Sequence, residues 1–134
     1  AALKTLHQFF CEKIKLYFSR LASNKDENPV VFQIKEYLHQ NYAVPSLSVP
    51  DISEHVRLSP TYVCTLFKNE TGQTLNQYLT DYRIKMSKQF LSDPLYKITD
   101  ISAKVGYSDG NYYSKAFRKI VGLSPSEYRE KMLR

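Results

Sequence analysis

From Asn28 to the carboxyl end, apolar side chains recur every three or four positions, and no run alternates as a half-buried strand must. The pattern predicts an all-α chain. Asn28-Pro29 reads as an N-cap with proline in the first turn, and Val30, Val31, Ile34, Tyr37 and Leu38 mark one face of the helix it opens, which stops in "NYAVPS". Six further short helices are predicted at 48–56, 59–71, 74–92, about 98–105, 109–121 and 124–133, separated by turn residues. Thr74 with Gln77 and Ser124 with Glu127 have the spacing of capping boxes, and Ser48 with Asp51 is an acidic variant. Leu75, Tyr78, Leu79, Tyr82, Met86 and Phe90 make 74–92 one continuous helix about 27 Å long. Upstream, Leu3, Leu6, Phe10, Ile14, Tyr17 and Leu21 form another stripe, and the polar "ASNKDENP" places a boundary near residue 25. Residues 1–25 are thus expected to be a linker or packing helix. The stripe fits packing on the domain, a coiled-coil-like link to an upstream domain, or a homodimer seam.

The second half repeats the first. "DISEHVRLSPTYVCTLFKNETGQTLNQYL" aligns with "DISAKVGYSDGNYYSKAFRKIVGLSPSEYR" at an offset of 49, which becomes 50 after one extra residue in the second turn. Ile52 then pairs with Ile101, Val56 with Val105, Phe67 with Phe117, Gly72 with Gly122 and Tyr78 with Tyr128. Each copy is a short helix, a tight turn and a second helix ended by glycine, the outline of a helix-turn-helix. The helix-turn-helix segments fall at about 48–72 and 98–122. In the second helix of each copy, Val63, Leu66 and Phe67, or Tyr113, Ala116 and Phe117, share one side. Thr61, Cys64, Thr65 and Lys68, or Asn111, Ser114, Lys115 and Arg118, share the other at i, i+3, i+4, i+7.

Such a polar edge suits a major groove about 12 Å wide, where Asn can bond adenine, Lys guanine, and a threonine methyl the thymine methyl. Two reading helices about 34 Å apart would enter successive major-groove windows on one face of a duplex.

Charge adds a direction. The net charge is +6 with a pI near 9.3, which favours polyanionic partners. Residues 29–82 carry three basic and five acidic side chains, whereas 83–134 carry eleven and five, so the basic footprint lies in the second half. Arg118 and Lys119, with backbone amides near Ser59, Asp109 and Ser124, are candidates for phosphate contact.

Cys11 and Cys64 lack disulfide or zinc spacing, which suits a reducing, cytoplasmic setting, and Cys64 reads as an inert small side chain. His7, His39 and His55 share no ligand spacing and read as surface or cap residues. Arg83 is expected half-buried in an ion pair with an acid such as Asp51 or Asp100. No nucleophile, metal cluster or glycine-rich phosphate loop is evident, so neither an enzyme nor a cofactor is predicted. No apolar run approaches a membrane span, so no membrane contact is expected of this segment, and the start without methionine suggests part of a longer protein. The competing function class is a helical dimerisation or protein-interaction module.

"LSPTYVCTLFKNETG", "YRIKMSKQFL" and "ITDISAKVGYSDGNYYSKAFRKIVGLSPSEYR" together resemble the DNA-binding domain of AraC/XylS-type transcription regulators over roughly 28–134. The resemblance implies seven helices, with two homeodomain-like helix-turn-helix subdomains joined by a long helix. It also implies binding to double-stranded promoter DNA, recruitment of RNA polymerase with activation as the usual outcome, and an upstream sensor or receiver domain. Thr61, Cys64 and Thr65 in the first unit and Gly110, Asn111, Ser114 and Lys115 in the second are the implied groove-facing residues. The style is most similar to carboxy-terminal domains of two-component response regulators. Three departures stand out. Ser87 replaces the usual alanine and is expected to bond back within its helix. Lys97 replaces the Ser48 cap, so the second unit is expected to begin later, at Thr99. The uncharged Thr61, Cys64 and Thr65 point to weak reading by the first unit, through methyl and shape contacts.

Overall fold

A computed structural model describes residues 27–134. The stripe at residues 3–21, the 1–25 segment, His7 and Cys11 lie outside the described residues. Within them the chain forms seven helices and no strand: α1 Pro29–Asn41, α2 Val49–Val56, α3 Pro60–Thr71, α4 Leu75–Leu91, α5 Ile98–Lys104, α6 Gly110–Val121 and α7 Pro125–Met132.

Local chemistry sets most of the ends. Asn28 accepts from the Val30 amide, and the Ser48–Asp51 and Thr74–Gln77 capping boxes are both formed. Gly72 and Gly122 close α3 and α6 in the left-handed conformation, each amide returning to the carbonyl four residues back. Lys97 provides no side-chain cap, yet α5 begins at Ile98 and not at Thr99. Ile98 and Ile101 pack into the second core, and their burial fixes the start that the missing cap leaves open.

Two hydrophobic cores result. Val31, Ile34, Leu38, Ile52, Val63, Phe67, Leu75 and Leu79 fill the first; Ile84, Leu91, Ile101, Val105, Tyr113 and Phe117 fill the second. α4 belongs to both. Its first half closes the unit of α1, α2 and α3, and its second half opens the unit of α5, α6 and α7. The duplication reaches single contacts: Ser53 donates to the Pro50 carbonyl as Ser102 does to that of Thr99, both at 3.1 Å. Phe67 meets Tyr78 edge-on at 5.4 Å, and Phe117 meets Tyr128 likewise at 5.5 Å.

Two arginines clamp helix ends. The Arg83 guanidinium donates to the carbonyls of Tyr42 (2.9 Å) and Val44 (3.0 Å), just past the end of α1, and lies over the Tyr107 ring. Arg129 donates to the carbonyls of Leu91 (3.0 Å) and Asp93 (3.2 Å) at the end of α4. Those acceptor pairs are 49 residues apart, so the same clamp on a helix C-terminus occurs once per unit. The acidic partner expected for Arg83 is therefore replaced by two backbone carbonyls just past the end of α1, where the chain has left the helix and its carbonyls can accept from a side chain. His39 is likewise no surface residue. It is partly buried, stacks on Tyr82 at 4.2 Å, and its Nε2 lies 2.8 Å from the Tyr78 hydroxyl. Ser87, fully buried, donates to the Ile84 carbonyl at 2.7 Å, the back-bond foreseen from the sequence.

Candidate nucleic-acid interface

The turns present α3 and α6 in one manner. Arg57 and Gly106 occupy equivalent positions, both left-handed, with φ of 59° and 96°. Their amides return to Glu54 and Ala103, and the next amides, of Leu58 and Tyr107, return to Ser53 and Ser102. After this shared corner the second unit has its extra residue, Ser108. The caps differ accordingly: Ser59 accepts from the Tyr62 amide, whereas Asp109 accepts from that of Asn111. At Gly106 glycine is obligatory, because a Cβ there would lie 2.3 Å from the Tyr42 carbonyl and 2.7 Å from Arg83 Nε.

Position by position, the twelve residues of α3 and the twelve of α6 show one and the same order of buried, half-buried and exposed side chains. Val63 and Phe67, or Tyr113 and Phe117, point inward. With about 100° between successive residues, the direction opposite these anchors passes through Thr65 in α3 and Lys115 in α6. All nine predicted site residues, Thr61, Cys64, Thr65, Lys68, Gly110, Asn111, Ser114, Lys115 and Arg118, are exposed. They are not equivalent in placement. Thr61 and Lys68, or Asn111 and Arg118, flank the central residue on one side. Cys64 and Ser114 turn further toward the preceding helix, each lining a pocket beside it: an apolar one of about 320 Å³ with Leu38, Val49 and Leu79 for Cys64, and one of about 340 Å³ with Thr99 and Ser102 for Ser114.

On the other flank the sequence reading named only Lys119, as a phosphate candidate. Tyr62 and Asn69 in α3, and Tyr112 and Lys119 in α6, are exposed there, the two tyrosines by 52% and 72%. Sorting the helix by polarity hid Tyr62 and Tyr112, since an exposed tyrosine looks apolar; measuring angles from the buried pair would have found them.

Charge separates the helices. α3 has Lys68 against Glu70, whereas α6 carries Lys115, Arg118 and Lys119 with no acidic residue. Lys68 donates to the Gly72 carbonyl at 3.1 Å. Behind α6, burial raises the pKa of Tyr107 and Tyr113 above the usual phenol value, with Arg83 and Thr80 beside Tyr107, and Ser87 beside Tyr113, offsetting part of that. Neither hydroxyl has a well-formed hydrogen bond, and both phenols stay neutral. Burial in turn lowers the pKa of Arg83, and the Tyr107 phenol opposes that shift.

A cleft of about 560 Å³ lies between the units. Lys68, Gly72 and Gln73 line it from the first, Asn76, Gln77, Thr80 and Asp81 from α4, and Lys119 and Ile120 from α6. It is reached from the Lys68 flank of α3 and the Lys119 flank of α6, which are opposite flanks of equivalent helices.

A family model described as a helix-turn-helix domain matches residues 52–131. The chain belongs to the AraC-type family of helix-turn-helix transcription regulators. This AraC-type domain is 36% identical, over 82% of its length, to the Msm operon regulatory protein of Streptococcus mutans. It spans less than half the length of the curated relatives it matches. The carboxy-terminal domain of AraT, a response regulator from Geobacillus stearothermophilus, superposes with a TM-score of 0.75 at 29% identity, covering 78% of this chain and 86% of that one. The DNA-binding domain of AdpA, solved in complex with a target DNA, superposes with a TM-score of 0.71 over 78% of this chain and 93% of that one. At 18% identity that likeness is one of fold. Among the described residues no helix is long and apolar enough to cross a membrane.

Proposed function

We propose that this AraC-type domain binds promoter DNA by laying α3 and α6 into successive major grooves on one face of the duplex. The observation that carries this reading is the shared exposure pattern of α3 and α6, together with the opposite flanks they offer to the cleft. Helices related by a two-fold axis would meet through the same flank. Helices related by a shift along one line meet through opposite flanks, as successive grooves on one face require.

The units divide the work unequally. Lys115, at the centre of the exposed face of α6, reads a base, with Asn111 one turn nearer the N-terminus. Arg118 engages phosphate, and Ser114 and Gly110 approach the groove edge beside α5. Thr65 and Thr61 read methyl groups and shape, Cys64 rests on its apolar pocket, and Lys68 supplies the first unit's charge. In the longer protein the domain sits in the cytoplasm below a sensor or receiver domain and positions RNA polymerase, activation being the expected outcome. Selecting duplexes from a random pool tests the reading. It predicts a site with most sequence information at one end, and an affinity whose logarithm falls linearly with log salt. Binding without salt dependence or sequence preference would overturn it.

A further inference from the structure

We propose that the cleft between the two units is a phosphodiester seat, which grips the duplex backbone where it passes from one major groove to the next. The inference rests on the docking proposed above and adds a site to it.

Lys68 and Lys119 line the cleft from opposite units, a space that neither unit builds alone, and the Lys68 ammonium lies on its wall, bonded to the Gly72 carbonyl at 3.1 Å. Both side chains are exposed. Lys68 lies about 60° from the outward direction of α3 on one flank, and Lys119 about 40° from that of α6 on the other. Each therefore leans from the groove-facing surface toward the gap. The floor is the first turn of α4, where Thr74 and Gln77 cap each other. Asn76 and Gln77 of that turn line the cleft, and the first-turn amides that have no acceptor within the helix put the positive end of α4 beside it. The amides of Gln73, Asn76 and Gln77 add neutral donors along the walls.

One carboxylate lines the cleft. Asp81 accepts from Gln73 Nε2 at 2.8 Å, which ties it to the wall and draws its charge toward that amide. The site therefore holds two lysines against one hydrogen-bonded acid. The ligand is a linear anion that crosses from unit to unit, because the cleft is open and runs between α3 and α6. A strand of phosphodiesters has that form and already lies between two occupied grooves. The seat also gives α4 a second role: its first turn touches the nucleic acid, and the weakly charged first unit gains affinity from a lysine of the second.

The test uses this chain and a duplex selected from a random pool. In Lys68→Met/Lys119→Met, which keeps the aliphatic stems, the log-log salt slope should become shallower by about 1.8, with affinity falling on the order of ten-fold for cognate and unrelated duplexes alike. One methylphosphonate placed midway between the half-sites should weaken wild-type binding and leave the double variant unaffected. An unchanged melting temperature for the variant would assign the loss to the interface. If the central methylphosphonate has no effect on wild type while Lys115→Ala relaxes sequence preference at one position, the seat is wrong and the groove docking stands. If the wild type shows no salt-dependent duplex binding, the docking itself fails and the seat with it. Capture of a Glu-rich peptide by wild type but not by the double variant, with equal duplex binding by both, would give the cleft to a protein partner and overturn the proposal.

Discussion

The two units share a backbone plan and differ in what fills it. In the first, Leu38 and Val63 sit in the core; at the equivalent positions of the second stand Ser87 and Tyr113, both buried. One pair is large then medium, the other small then large, so volume is conserved across the contact while its partition changes. The corner shows a similar exchange. An exposed Arg57 bears the left-handed conformation in the first unit, whereas Gly106 bears it in the second, against the Arg83–Tyr42 clamp. Surface charge follows the same division, with three cations on α6 and a balanced α3. The comparison teaches that a duplicated fold can keep its turn geometry and its angle of presentation while one copy specialises. The second copy has the tighter corner, the aromatic core and the basic reading helix.

The strongest way to break that comparison is at the corner. Gly106→Ala must displace the Tyr42 carbonyl or Arg83 and take up a disfavoured φ, so it should cost about 3 kcal/mol or more in urea unfolding. A loss under 1 kcal/mol would mean that the close approach is not maintained. The core exchange comes next. Tyr113→Val should cost about 2 to 4 kcal/mol through the cavity it leaves, and Ser87→Leu about 1 to 3 kcal/mol through overpacking. The double substitution should cost at least about 1 kcal/mol less than the sum, since each change makes room for the other. Strict additivity would show that the two sites do not share a space.

At the interface, Lys115→Ala should weaken binding to the selected duplex by about 1 to 3 kcal/mol and relax preference at one position, with a smaller effect for Thr65→Ala. The reverse order, measured by fluorescence anisotropy, would exchange the roles of the units. The smallest difference concerns alkali. The raised pKa values of Tyr107 and Tyr113 keep these phenols neutral in the fold, so stability is intact below the unfolded value near 10 and falls as pH rises through the folded values. Amide resonances of α5 and α6 should therefore fade before those of α2 and α3 above pH 10. Simultaneous loss would contradict the assignment of both phenols to the second core.

Much of this was open to a reader of the sequence. The helices follow from a three- and four-residue apolar rhythm and from local caps such as Thr74 with Gln77, and the repeat from pairs such as Phe67 and Phe117. What the sequence concealed is long-range. Arg83 meets carbonyls 41 and 39 residues earlier, and Arg129 meets carbonyls 38 and 36 residues earlier. No periodic signal marks a side chain that bonds to backbone, because the acceptor is present at every residue. Within the candidate site the exposed stripe was legible as polarity, so Thr65 and Lys115 were found while Tyr62, Tyr112 and the cleft side of Lys119 needed the direction of the core. The exchange of Leu38 and Val63 for Ser87 and Tyr113 was hidden for another reason: the aligned repeat began only at Asp51, beyond the first member of the pair.

Hydroxyl-radical footprinting on a selected duplex tests the tandem placement of α3 and α6 most directly. Tandem docking predicts two protected patches on one face, their centres about 10.5 base pairs apart, with the protection at one end lost in Lys115→Ala. A single patch, or two patches on opposite faces of the duplex, would contradict it.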